Sequence, residues 1–172
     1  MEELVRRAVE NDADAFLELM DRMSDRMYKT AWSILKNNTD AADAIQDTIL
    51  TCFEKIGTLR EPRYFSTWVT RILINECYQI QKQYKRYEDS TELPEFPAGE
   101  DGMEKMRFQE LLSLADERYH LILTLYYADE YSVAEIAAML DMNENTVKTR
   151  LARAREQIRR GFCEESRISY GH

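Results

Sequence analysis

The chain is short of the residues that make turns. Five glycines and three prolines among 172 residues are too few for a fold built of many short strands, each needing a tight reversal. The composition therefore predicts an all-α protein. Cysteine is scarce as well: Cys52, Cys77 and Cys163 are odd in number and widely spaced, and His120 and His172 are the only histidines. No metal-ligand spacing surrounds them, which argues against a disulfide framework, a zinc site, or a metal- or thiol-dependent enzyme. Reduced structural thiols and no required cofactor are the expectation. Also missing is any apolar run of membrane-spanning length. The opening "MEELVRRAVENDADAF" has no apolar segment of the signal-peptide kind. A cytoplasmic protein with no direct membrane insertion is expected.

What is present is ordinary for a globular chain: 44% hydrophobic and 32% charged residues. The formal charge of -9 is unevenly spread. Residues 1–87 carry 14 acids and 13 bases, residues 88–103 carry six acids and no base, and residues 104–172 carry 12 acids and 10 bases. Two thirds of the net charge thus lies in sixteen residues. That stretch includes "EDSTELPEFPAGEDG", with two of the three prolines, and it interrupts helical periodicity. It predicts a flexible acidic linker, 88–103, joining two small helical domains, 1–87 and 104–172. Fully extended, it would span on the order of 50 Å.

Phe16, Met20, Met23, Met27, Ala31 and Ile34 recur every three or four residues, the spacing of an amphipathic helix, with Asp12 as its cap. A second helix is predicted from "NNTD" (Asn37–Asp40) to a stop at Gly57. Its inner stripe is Ala41, Ala44 or Ile45, Thr48 or Ile49, Cys52 and Ile56. Pro62 suits the first turn of a third helix running to about Arg86. A short helix near residues 3–9 completes the bundle. Beyond the linker, "MEKMRFQELLSLAD" and the more apolar "ERYHLILTLYYAD" read as helices. "SVAEIAAML" follows, with Ser132 and Glu135 forming a capping box, then the turn "DM" and a helix capped by Asn143. A short helix, a tight turn and a second helix make the helix-turn-helix plan.

The segment "NENTVKTRLARAREQIRRG" sets six cations against two acids in an acidic chain. Val147, Leu151, Ala154 and Ile158 fall on one face of it. The opposite face carries Asn145, Thr149, Ala152, Arg153, Glu156 and Arg160, flanked by Lys148 and Arg159. Small polar residues early and cations later suit entry into a major groove, where early positions meet base edges and later ones phosphates. Asn145, Thr146, Lys148, Thr149, Ala152 and Arg153 are the DNA-reading candidates.

In the first bundle, Asp43, Gln46 and Asp47 share one outward face. Residues 58–87 mix Phe65 and Trp68 with Arg60, Arg63, Arg71, Lys82, Lys85 and Arg86. Aromatics among cations suit single-stranded DNA, where bases stack and phosphates pair. The same two aromatics, at helical spacing, also fit a core.

Taken together, "DAADAIQDTILTCF", "YFSTWVTRILIN" and "YSVAEIAAMLDMNENTVKTRLARAREQIR" resemble, in order, the signature blocks of the extracytoplasmic-function sigma factors of bacterial RNA polymerase. The resemblance covers roughly residues 10–160. It implies that Asp43, Gln46 and Asp47 dock on the clamp coiled coil of the core polymerase. It implies that Arg60, Arg63, Tyr64, Phe65, Arg71 and Asn75 belong to the part that opens the promoter and captures a flipped base. The helix-turn-helix would read the upstream promoter element while its other surface meets the flap, and an anti-sigma protein would cover these surfaces. Departures from the family pattern are Ala42 for a frequent Glu, Gln79 for Asp, Ala115 for Pro, and Asp141 where Gly is usual in the turn. The alternative reading is a free-standing helix-turn-helix transcription factor, which would bind duplex DNA unaided.

Overall fold

A computed structural model describes residues 1–85 and 102–169, with side chains 107–168 in the second stretch. These residues form two compact units, one within Met1–Glu95 and one within Phe96–His172. All regular structure among the described residues is helical, so the chain is all-α, as its low glycine and proline content predicts. None of these helices is long and apolar enough to cross a membrane.

The first unit opens with α1 (Glu2–Val9) and α2 (Ala13–Leu35). Asp12 caps α2 through Oδ1, which accepts the Ala15 amide at 3.1 Å. Its Oδ2 takes the Arg7 guanidinium at 2.6 and 2.9 Å, tying the end of α1 to the start of α2. The amide first, and Arg7 after it, hold the Asp12 carboxyl below its ordinary value. The stripe from Phe16 to Ala31 is buried as expected, with Ile34 half-buried. α3 (Asn38–Lys55) is capped by Asn37, whose Oδ1 accepts the Asp40 amide at 2.8 Å. It buries Ala41, Ala44, Thr48 and Cys52 and leaves Ile45 and Ile49 half-buried. Small residues thus line the inner face, where α3 packs against α2 and α4 (Phe65–Lys85). The Thr48 hydroxyl is satisfied by the Ala44 carbonyl at 2.7 Å.

Two boundaries differ from expectation. Gly57 does not end α3 in the left-handed region. The helix tightens into a 3-10 turn, Ile56–Thr58, and no glycine of the described residues has positive φ. Leu59 then donates back to the Ile56 carbonyl at 3.0 Å, which closes the turn without help from glycine. Pro62 opens a separate 3-10 turn, Pro62–Tyr64, so α4 begins at Phe65. α4 is described as far as Lys85, and Arg86 lies outside the described residues. Burial pushes the Cys52 and Cys77 thiols up to about 12, which makes them packing groups and not nucleophiles.

In the second unit α5 spans Gly102–Ser113, so it already includes Gly102 and Met103, the end of the expected linker. Positions 88–101 of that linker lie outside the described residues. The apolar central helix is irregular. It begins as a 3-10 turn (Glu117–Tyr119), continues as α6 (His120–Leu123) and widens into a π turn (Thr124–Ala128). Buried His120 is satisfied through Nε2 by the Ala115 carbonyl at 2.9 Å. α7 (Val133–Leu140) and α8 (Glu144–Ser169) follow. α8 runs eight residues beyond Gly161.

Candidate functional site

The geometry of α7 and α8 is fixed by local chemistry that the sequence announces. Ser132 Oγ accepts the Glu135 amide at 3.2 Å and Glu135 Oε2 accepts the Ser132 amide at 2.8 Å, a complete capping box. Asp141 takes the left-handed conformation, φ 52 and ψ 49, which a short polar side chain tolerates better than most. Asn143 Oδ1 accepts the Asn145 amide at 2.8 Å and starts α8. Val147, Leu151 and Ala154 are buried and Ile158 half-buried, facing the helices α7 and α6 against which α8 packs. Asn145, Thr146, Lys148, Thr149, Ala152 and Arg153 are all exposed, so the DNA-reading candidates share the open side of one helix.

The later cations of the basic segment, Arg155, Arg159 and Arg160, are engaged. Arg155 donates to the Tyr127 hydroxyl at 3.1 Å. Arg159 and Arg160 both bind Glu156, at 2.7 and 3.1 Å. Their hydrogen bonds, Arg159 foremost, depress the Glu156 carboxyl to about 2. Gln157 Nε2 donates to Asp116 Oδ2 at 3.0 Å while its Oε1 accepts the Asp116 amide at 2.8 Å, anchoring α8 to the start of the central segment.

On α3, Asp43, Gln46 and Asp47 are exposed and line one wall of a cleft of about 560 Å³. Glu76, Gln79, Gln83 and Tyr84 of α4 form the other wall. Asp40 is buried and accepts the Tyr84 hydroxyl at 3.0 Å; this bond keeps the Tyr84 hydroxyl protonated above its ordinary range. The α4 wall was not read from the sequence, since polar residues late in a helix look like solvated surface until a neighbour helix places them. Leu50 and Phe53 were also passed over. They continue the Asp43–Asp47 ridge by one and two turns and are 62% and 59% exposed. An apolar residue interrupting a polar helical face was the available signal.

In the segment before and along α4, Arg60, Arg63, Tyr64, Arg71 and Asn75 are exposed. The Arg63 guanidinium lies over the Tyr64 ring, 4.8 Å from its centroid. Trp68, Arg71 and Asn75 follow at three- and four-residue spacing and so share a face; Trp68 is half-buried. Phe65 is the correction in this group. It is 1% exposed and belongs to the core of the first unit, so its ring is not available to a DNA base. Its role is to hold the start of α4, with Trp68 against it at a centroid distance of 6.3 Å.

The second unit also holds an apolar groove of about 440 Å³ between α5, the central segment and α8. Phe108, Leu111, Leu123, Ile158 and Phe162 line it, with Tyr127, Arg155 and Arg159 adding polar groups. Phe162 lies beyond the basic segment singled out in the sequence, and the groove exists only because α8 continues past it.

The family model for sigma-70 region 2 matches residues 19–87, and that for sigma-70 region 4 matches residues 105–158. The chain is similar to the RNA polymerase sigma factor SigV of Bacillus subtilis (strain 168), 33% identical over 141 residues, covering 80% of this chain and 85% of that protein. It is also similar to the ECF RNA polymerase sigma factor SigW of the same organism, 28% identical over 175 residues, covering 91% of this chain and 93% of that protein. Its fold resembles the sigma factor RpoE of Bartonella quintana, solved in complex with the anti-sigma factor NepR. The TM-score there is 0.69 at 20% identity, covering 84% of this chain and 96% of that one. The exposed face of a correctly capped helix-turn-helix, the acidic ridge on a separate helical unit and these matches lead to one conclusion: the chain belongs to the extracytoplasmic-function sigma factors, the subunits that direct bacterial RNA polymerase to specific promoters.

Proposed function

We propose that the two units divide the work of initiation in the cytoplasm, and that the chain has no catalytic centre of its own. The first unit, residues 1–87, docks on the clamp coiled coil of the core polymerase through Asp43, Gln46 and Asp47. Exposed carboxylates give such a contact its orientation and its on-rate. Arg60, Arg63, Tyr64, Arg71 and Asn75 then engage the opened strand. Extracting a base from its stack costs a few kcal/mol, which stacking and phosphate contacts on this face offset. The second unit, residues 104–172, reads the upstream element with the start of α8. Its apolar groove seats the polymerase flap, and the acidic stretch 88–103 tethers the two units. An anti-sigma protein would silence the chain by covering these same surfaces. The relative solved with NepR supports such a partner for this fold.

The observation that carries this reading is an exposed polar and cationic face at the start of α8 on one unit, together with an exposed acidic ridge on the other that makes no ion pair among the described residues. A gel shift with promoter duplex, with and without core polymerase, tests it. Weak binding alone and tight, sequence-selective binding with core enzyme are expected. Equally tight binding in both lanes would instead favour a free-standing regulator.

A further inference from the structure

The six cations between Lys148 and Arg160 are not equivalent. Arg155 is turned towards Tyr127 and the apolar groove. Arg159 donates to Glu156 from Nε at 3.1 Å and from Nη2 at 2.7 Å, and Arg160 donates from Nε at 3.1 Å. Among the described residues, the ion pairs of α8 are these two, and none involves Lys148, Arg150 or Arg153. At about 100° per residue, Glu156 and Arg160 lie within roughly 60° of Arg153, one and two turns further along the DNA-facing side. Positive charge at the start of α8 is therefore open to a partner, while that of Arg159 and Arg160 is partly compensated within the helix.

We propose that Glu156 is a specificity-determining residue. By holding Arg159 and Arg160 it limits phosphate contact to the first half of α8, where Asn145, Thr149, Ala152 and Arg153 face the bases. This rests on reading α8 as the DNA-contacting helix. Phosphate contacts strengthen binding to every sequence alike and carry no sequence information. Two further arginines on the backbone would raise affinity for random duplex and narrow the margin of the true site. A single exposed ion pair would be a weak restraint. Here one carboxylate serves two guanidiniums, one of them through a two-bond fork, and charge-assisted bonds of this kind hold their geometry better. Removing the one charge releases both arginines together, and also removes a carboxylate that would repel phosphate.

The test uses the full chain with core polymerase. Affinity for a cognate promoter duplex and for a random duplex is measured across a salt series, with helicity checked by circular dichroism. E156Q keeps the shape of the side chain and removes its charge. It is expected to steepen the dependence of log K on log salt by up to about 2, to raise affinity for random duplex roughly tenfold, and to lower the cognate-to-random ratio. Adding R159A and R160A to E156Q should return the slope to its starting value. E164Q, an exposed acid further along the same helix, should leave slope and ratio unchanged. An unchanged slope in E156Q, or an equal shift in E164Q, would overturn the proposal. R153A separates this from the underlying reading: if it leaves cognate binding untouched, α8 is not the reading helix at all.

Discussion

The two units treat surface charge in opposite ways. On α3, Asp43 and Asp47 stand exposed, and among the described residues ion pairs of the first unit join other groups, such as Arg6 and Glu2 or Glu3, Arg7 and Asp12, Arg22 and Glu18, and Arg63 and Glu61. On α8, Glu156 pairs with both Arg159 and Arg160 and offsets one of their two charges within the helix. The first unit thus presents exposed charge as a ridge beside a cleft, and the second grades its charge from open to partly compensated along one helix. A protein surface needs strong unpaired charge where orientation and encounter rate matter, since charge steers association over long distances. Where discrimination matters, excess charge works against the binder, because it rewards every phosphate equally. The contrast also shows how a chain of net charge -9 can still gather exposed cations locally, at Arg60, Arg63 and Arg71 in the first unit and at Lys148 and Arg153 on α8.

The contrast breaks most readily at the ridge. Reversing Asp43 and Asp47 to Lys should abolish co-purification with core polymerase, a loss above a hundredfold given the several kcal/mol that like-charge juxtaposition costs. Circular dichroism should stay as in the parent, because both side chains are exposed. Retained co-purification would discard the docking face.

Next in size is a pair at the start of α4. F65A should lower the stability of the first unit by about 3–5 kcal/mol in a urea titration, as loss of a buried aromatic does. Y64A, on an exposed neighbour, should change stability by less than about 0.5 kcal/mol while slowing promoter opening followed by permanganate reactivity. Equal stability losses in the two would contradict the burial difference.

R153A should weaken binding of the upstream element by about 1–3 kcal/mol and relax preference at one base pair if it reads a base. Selection of promoter variants with the reconstituted holoenzyme gives that profile. S132A removes half of the capping box and should destabilise the second unit by about 0.5–2 kcal/mol, read as a lower melting midpoint.

The smallest effect is titration of Glu156. Its carboxyl is held below the ordinary 4.5, at about 2, so it binds fewer protons folded than unfolded. The stabilisation it brings is therefore complete above about 4.5 and disappears as pH falls towards 2. Helicity between pH 7 and 5 should not respond to this group. E156Q should remove its share of the change below pH 4.5, and an identical acid limb in the variant would show that the pairing contributes nothing.

Much of this was legible in the chain because it is short-range. The caps at Asp12, Asn37, Ser132 and Asn143 are local hydrogen bonds. The left-handed Asp141 is set by the steric preference of one residue. Less legible was anything decided between helices. Phe65 and Tyr64 are adjacent aromatics, yet one is buried in the core and the other is 51% exposed. That split follows from the Pro62 turn, which starts α4 at Phe65 and so sets which ring points inward. Gly57 reads as a stop, but the closing bond from Leu59 to Ile56 made a left-handed glycine unnecessary.

Sequence alone thus determined that the chain is helical, that it carries a helix-turn-helix, and that its negative charge is concentrated between two helical regions. These are consequences of periodicity, capping and composition, which act over a few residues. Tertiary structure decided that α4 supplies the second wall of the acidic cleft, that Tyr84 reaches Asp40, and that the length of α8 completes an apolar groove. Those features depend on which side chains are brought together by packing across dozens of residues, and helical periodicity says which way a residue faces but not what it will meet.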